Sequence, residues 1–196
     1  MTNRTRTMSE LLGAAAGSAL PVVRAITDDQ LGDPTPCPEY DVRELADHLF
    51  QVVTNFRELA AKREADFGAA PRRVEPGGDW RERFAAETAA LAAAWAAPGA
   101  EEGTAGSLGL PARTVGFMAL GDLTVHAWDL ARATGRSYAP EGFVIAELAP
   151  AVAAMAPMAR EYGVYGAAVE PGEAASDFER MLAVTGRDPH WEPPAR

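Results

Sequence analysis

The stretch LGDLTVHAWDLARATG, residues 120–135, constrains the fold of this chain more than any other. It follows the apolar run TVGFMA, and its apolar spacing predicts a helix that lies inside the molecule. Asp122 and His126 nevertheless lie four residues apart on it, and Asp129 follows three residues later. On a helix with about 3.6 residues per turn, these three side chains share one side. Because a buried carboxylate is unfavourable without a partner, the fold must bring other polar groups to this helix.

The composition favours helices throughout the chain. The 196 residues are enough for one domain, residues 1–196, with a sizeable core, and 47% hydrophobic and 23% charged residues are typical of a globular protein. Alanine is abundant and β-branched residues are sparse, which favours helices over strands. We therefore predict an all-α fold.

The apolar periodicity and the helix start and stop signals predict six helices. Capping boxes at Asp41 with Glu44 and at Asp79 with Glu82 mark the second and third starts, and Gly135 marks the fourth end. We treat the part from about residue 163 as a short C-terminal extension. The predicted helices span residues 8–26, 41–65, 79–95, 111–133, 140–162 and 178–184.

The charge and the cysteine count exclude several functions. A net charge of −10 repels phosphate backbones, so we expect no nucleic-acid partner. No run approaches the roughly 18 apolar residues of a membrane span, and the N-terminal region is too interrupted for a signal peptide. Cys37 is the single cysteine, which excludes a disulfide framework and a zinc site built from cysteines. We expect a cytoplasmic protein without a membrane partner.

Two of the three histidines lie on inward helix stripes. His48 shares its stripe with Leu45, Leu49 and Val52, and His126 shares one with Asp122, whereas His190 lies in a polar segment and is expected at the surface. Two imidazoles and one carboxylate with open positions form the ligand set of catalytic zinc and of non-haem iron. Helix bundles build such sites from side chains on facing helices.

Other interpretations of these residues stay open. Asp122 and His126 could form an ordinary ion pair one turn apart, and Glu44 could pair with His48 and remove the need for a metal. Asp129 could replace Asp122 as a ligand, or pack within the helix bundle, for example against Arg132. Cys37, between two prolines, could be a reactive thiol or a small buried side chain in a turn.

Three stretches of the chain carry a family resemblance. DPTPCPEYDVRELADHL (33–49), LGDLTVHAWDLARATG (120–135) and MLAVTGRDPHW (181–191) resemble signatures of the DinB-like metal-binding proteins of actinobacteria. That group includes the N-terminal domain of mycothiol-dependent maleylpyruvate isomerase. The resemblance implies a DinB-like four-helix bundle with additional C-terminal helices and one divalent metal ion, zinc first and nickel second. It implies His48, Asp122 and His126 as the metal ligands.

Two departures from the family bear on function. The family's carboxylate is commonly glutamate, and Asp122 is one methylene shorter; the isomerase also carries a further C-terminal domain that this chain lacks. We therefore expect a transferase or isomerase that uses a low-molecular-weight thiol, mycothiol, on a small electrophile, rather than that isomerase activity itself. A non-enzymatic metal-binding or sensing bundle is the alternative, and a structural protein without metal is the third. Apolar helix faces could also pair in a homodimer.

Overall fold

The computed structural model describes residues 5–68 and 70–194. Within these ranges the chain forms six α-helices and no β-strand, which confirms the predicted all-α fold. Two short 3₁₀ helices, Asp28–Gln30 and Gly106–Leu108, lie in connections. The α-helices are α1 (Met8–Ala25), α2 (Val42–Ala60), α3 (Trp80–Trp95), α4 (Ala112–Ala133), α5 (Gly142–Glu161) and α6 (Asp177–Val184).

The first four helices form a bundle. α1 and α2 each pack against both α3 and α4, so the α1–α2 and α3–α4 connections cross the bundle between diagonal helices. α5 packs on α4 and α6, which confirms the additional C-terminal helices. The largest fully buried side chains include Trp80, Trp95, Phe50, Phe56 and Phe84.

The two predicted capping boxes have different outcomes. Asp41 accepts the backbone N–H of Glu44 at 2.8 Å, and the Glu44 carboxylate accepts the Asp41 N–H at 3.1 Å, so the first prediction is confirmed. The second is wrong, because Asp79 caps no N–H group and its backbone is not extended, with φ −84° and ψ 16°. Asp79 instead pairs with Arg83, and Glu82 pairs with Arg24 on α1, each at 2.9 Å.

The second helix is shorter than predicted, because it ends at Ala60 rather than near residue 65. Lys62 takes a left-handed backbone conformation, with φ 61°, and its N–H donates to the Leu59 carbonyl at 3.0 Å. A residue in this conformation cannot continue a right-handed helix. The connection therefore leaves α2 early and runs back along it, where the Asn55 and Gln51 amides donate to its carbonyl groups.

α5 comes closer to a membrane span than the sequence prediction allowed. It is 20 residues long, its most apolar window has a mean hydropathy of 1.6, and 28% of that window is buried. It packs on the rest of the fold through Val144, Leu148 and Val152. One such helix among the described residues is weak support for membrane insertion, because packed helices of globular proteins reach the same length and hydropathy. The absence of a membrane partner stays a prediction.

Candidate metal centre

The structure places the three predicted ligands on one cavity. His48 comes from α2, and Asp122 and His126 come from α4; all three line a cavity of about 530 Å³. α2 and α4 pack side by side, so their inward stripes meet at this place. His190, expected at the surface, is exposed and does not line the cavity.

The two imidazole rings are in contact. The ring centroids of His48 and His126 are 5.1 Å apart, with the ring planes at 87°. The Tyr40 ring also stacks on the His48 ring, with centroids 5.3 Å apart. Burial lowers the pKa of His48 to about 4, and the positive charges of His126 and Arg187 add to this effect. His48 is therefore neutral at pH 7 and keeps a nitrogen lone pair.

Opposing effects act on the pKa of Asp122. Burial raises the pKa of its carboxyl group, while the charges of His126 and Arg187 lower it. His126 forms its ion pair with Asp129 and not with Asp122. The carboxylate of Glu44, the alternative partner for His48, accepts the Asp41 N–H in the α2 cap. Neither of the two ordinary ion pairs considered from the sequence is formed.

Asp129 orients His126. His126 Nδ1 lies 2.9 Å from Asp129 Oδ2, and because a carboxylate can only accept, Nδ1 carries the proton of this hydrogen bond. Arg187, from the segment after α6, donates to the same oxygen at 3.3 Å. Arg132, considered as the partner of Asp129 from the sequence, instead donates to the Trp191 carbonyl at 2.9 Å.

A second group of potential ligands shares His126. Ligand atoms of Cys37, His126 and Asp129 lie within 4.8 Å of one another, and this is the one such group in the described ranges. All three side chains are buried, and Asp129 Oδ1 has no hydrogen-bond partner. This group is a possible metal-binding site. Burial raises the pKa of the Cys37 thiol to about 12.

Sequence reasoning missed the positions of Cys37 and Arg187 in this site. Both lie in quoted signature stretches, 33–49 and 181–191, and that was the signal available. Cys37 is a small buried side chain in a turn, as one of the two sequence interpretations expected. Apolar side chains make up much of the cavity lining, namely Phe56, Phe67, Leu108, Met118, Val125 and Val164.

Comparison with known proteins places these features in a family. The sequence profile described as "Mycothiol maleylpyruvate isomerase N-terminal domain" matches residues 12–131. Uncharacterized proteins from two strains of Mycobacterium tuberculosis, CDC 1551 and H37Rv, are each 38% identical over 117 residues. The match covers 56% of this chain and 57% of each relative, so the chain spans just over half the length of these relatives.

No solved structure matches the chain. The family match covers α2 and nearly all of α4, the helices that carry His48, Asp122 and His126. The all-helical architecture agrees with a DinB-like bundle. The chain therefore belongs to the family of mycothiol maleylpyruvate isomerase N-terminal domains.

Proposed function

We propose that the chain binds one divalent metal ion, zinc first and nickel second, through His48, Asp122 and His126. We further propose that it uses a low-molecular-weight thiol, mycothiol, in the transfer or isomerisation of a small electrophile. The observation that carries this proposal is the contact of the His48 and His126 imidazoles, which come from different helices. Their ring centroids are 5.1 Å apart, in a cavity that Asp122 also lines.

The chemistry of these donors fits a metal ion. Neutral imidazole nitrogens and a carboxylate are the ligands of catalytic zinc sites. Asp129 holds the His126 ring with Nδ1 protonated, and this is the hydrogen bond that commonly orients a metal-binding histidine. Within the described ranges, Asp122 forms no ion pair with a basic side chain of the protein. A bound cation would therefore offset the cost of burying its carboxylate.

The residues around the donors would each have a role. A divalent ion bound there would lower the pKa of a bound thiol, so that a thiolate nucleophile is available at neutral pH. Tyr40 holds the His48 ring by stacking, and Asp129, paired with Arg187, holds the His126 ring. The apolar walls of the cavity would limit water and leave room for the electrophile.

The alternative function is a non-enzymatic metal-binding or sensing bundle. Two observations favour it: the close approach of Cys37, His126 and Asp129, and the unpartnered buried Oδ1 of Asp129. A metal on His126 Nδ1 would replace the hydrogen bond to Asp129, whereas a metal on Nε2 would preserve it. If the Cys37 thiolate bound the metal, it would also occupy the coordination position that an added thiol needs.

Elemental analysis of protein purified without a histidine tag tests metal binding. We expect about one divalent ion per chain, lost in His48→Ala and in His126→Ala and retained in His190→Ala. Asp122→Asn should lower the metal content and Cys37→Ser should not. The opposite result for these two variants would favour the alternative site, and full binding by the His48→Ala/His126→Ala double variant would refute both.

Cobalt spectroscopy tests the thiol. We expect a sulfur-to-metal charge-transfer band when mycothiol is added to cobalt-substituted protein, stronger at higher pH and absent in His126→Ala. The band must persist in Cys37→Ser, which shows that the sulfur comes from the added thiol. An unchanged spectrum at saturating thiol would refute the thiol-dependent function and leave the non-enzymatic one. Cytoplasmic location, absence of nucleic-acid binding and homodimer formation stay predictions.

A further inference from the structure

Exposed apolar side chains are concentrated at the mouth of the cavity. Among the described residues, five large apolar side chains are exposed: Phe67, Leu108, Met158, Tyr162 and Val164. Phe67, Leu108 and Val164 come from three different connections, yet all three line the cavity. Single exposed apolar residues are ordinary, but several that meet at a concave site indicate binding. We call these three residues the rim.

Buried polar side chains hold Phe67 in its exposed position. The Phe67 ring packs edge to face on the buried Phe56 ring, with centroids 5.5 Å apart. The buried amide of Gln51 donates to the Gly68 carbonyl at 2.5 Å, and that of Asn55 donates to the Asp66 carbonyl. The loop on both sides of Phe67 is thus tied to α2, so the exposure of this ring is a fixed feature of the fold.

Close backbone approach places Leu108. The 3₁₀ helix Gly106–Leu108 lies against α2. Gly106 has φ +45°, and a Cβ atom there would collide with the Arg63 carbonyl oxygen and the Leu59 side chain. Glycine is therefore needed for the contact with α2 that places Leu108 in the lining of the same cavity as Phe67.

The interior of the cavity continues the apolar rim. Phe56, Met118 and Val125 line it, and its volume of about 530 Å³ lies in the roughly 300–1,000 Å³ range of small-molecule pockets. The Asp, Glu and Arg residues of the lining are Glu39, Asp122 and Arg187, and the chain carries a net charge of −10. The excess of negative charge disfavours a ligand whose body is anionic.

We infer that this cavity takes a small molecule with an uncharged apolar body, and that Phe67, Leu108 and Val164 determine its specificity. The assignment of the reacting end to His48 and His126 rests on the proposed function; the apolar binding does not. Val164 lies outside residues 12–131, so part of this specificity comes from a segment beyond the family match.

The neutral fluorescent probe N-phenyl-1-naphthylamine, titrated into the full chain, tests the inference. We expect saturable binding that Phe67→Ser, Leu108→Ser and Val164→Ser each weaken by about three- to tenfold, since each removes part of the apolar contact. Met158→Ser is the matched control: Met158 is 40% exposed, against 45% for Phe67 and 37% for Leu108, but lies outside the cavity lining. Unchanged binding in all three rim variants, or a loss only in Met158→Ser, overturns the inference.

A second measurement needs no variant. Neutral n-alkanols from butanol to decanol should displace the probe, with affinity rising about three- to fourfold per methylene until the cavity is full. Displacement that does not depend on chain length overturns the inference. If wild-type protein binds the probe and no metal, the proposed function fails while the apolar specificity stands.

Discussion

The inner end of the cavity and its rim are built in opposite ways. The inner end carries polar side chains, His48, Asp122 and His126, on two packed helices. The rim carries exposed apolar side chains on three connections. Each inverts the usual distribution of polar and apolar residues, and each inversion costs free energy. Under the proposed function, the reactive groups would lie on rigid helices, where they are held in position, and specificity would lie on the connections, which vary more easily.

The two regions also differ in their relation to the family. Residues 12–131 include the three predicted ligands together with Phe67 and Leu108. The segment after α5 adds Val164, Tyr165 and Arg187 to the same cavity. One wall is therefore supplied from outside the matched region.

The largest expected effect concerns access of water and reagents to the inner end. Because burial raises the pKa of Cys37 from 9.0 to about 12, iodoacetamide at pH 7.5 should alkylate it about a thousandfold more slowly than a peptide thiol. The folded state holds this proton more tightly than the unfolded state, so its contribution to stability falls as pH rises above 9. Mass spectrometry of metal-free protein gives the rate.

The control for this prediction lies at the rim. Phe67→Cys in a Cys37→Ser background should be alkylated nearly as fast as a peptide thiol, since Phe67 is 45% exposed. Equal rates at the two positions would show that the inner end is as open as the rim, and the comparison would fail.

Truncation of two aromatic side chains should show that a core ring stabilises the fold much more than a rim ring does. Phe84 is buried beside Phe50, with centroids 5.3 Å apart, so Phe84→Ala should lower the free energy of unfolding by about 3–5 kcal/mol. Phe67→Ala should lower it by less than about 1 kcal/mol, because much of the ring is already exposed to water. Urea denaturation measures both, and equal losses would make Phe67 a structural residue.

Replacement of each carboxylate by an amide tests which of them binds the metal. Asp129→Asn should weaken metal binding by about 10- to 100-fold, the usual effect of losing a residue that orients a ligand, and Asp122→Asn should weaken it more. Competition with a chelator of known affinity gives both values. The reverse order would make Asp129 the ligand, in agreement with its unpartnered Oδ1.

The smallest expected effect concerns the C-terminal wall. Gly186 has φ +89°, and a Cβ atom there would lie 2.8 Å from the Gly166 Cα, so Gly186→Ala should cost about 2 kcal/mol and displace the neighbouring Arg187. Gly172→Ala is the matched control, because Gly172 has φ +85° with no atom within 4 Å, and about 1 kcal/mol is expected. Thermal unfolding compares them; equal costs would show that the Gly186–Gly166 contact adds nothing.

The helices could be predicted because their signals are local. Apolar residues recur at helical spacing in α2 and α4, and the same spacing turned His48, Asp122 and His126 inward. In the failed Asp79–Glu82 capping box, Asp79 pairs with Arg83 and the Glu82 carboxylate pairs with Arg24, 58 residues away from it. A local motif does not show such a distant competitor.

The sequence by itself determined an all-helical chain, the inward orientation of two histidines and the family that the chain resembles, because periodicity and motifs are encoded in neighbouring residues. Only the tertiary structure decided that Asp129 pairs with His126 and Arg187, that Cys37 approaches the same imidazole, and that three connections form one apolar rim. Apart from the hydrogen bond between His126 and Asp129, which are three residues apart, these contacts join residues far apart in the chain. They depend on how the helices cross and where the loops return, which no single stretch of sequence specifies.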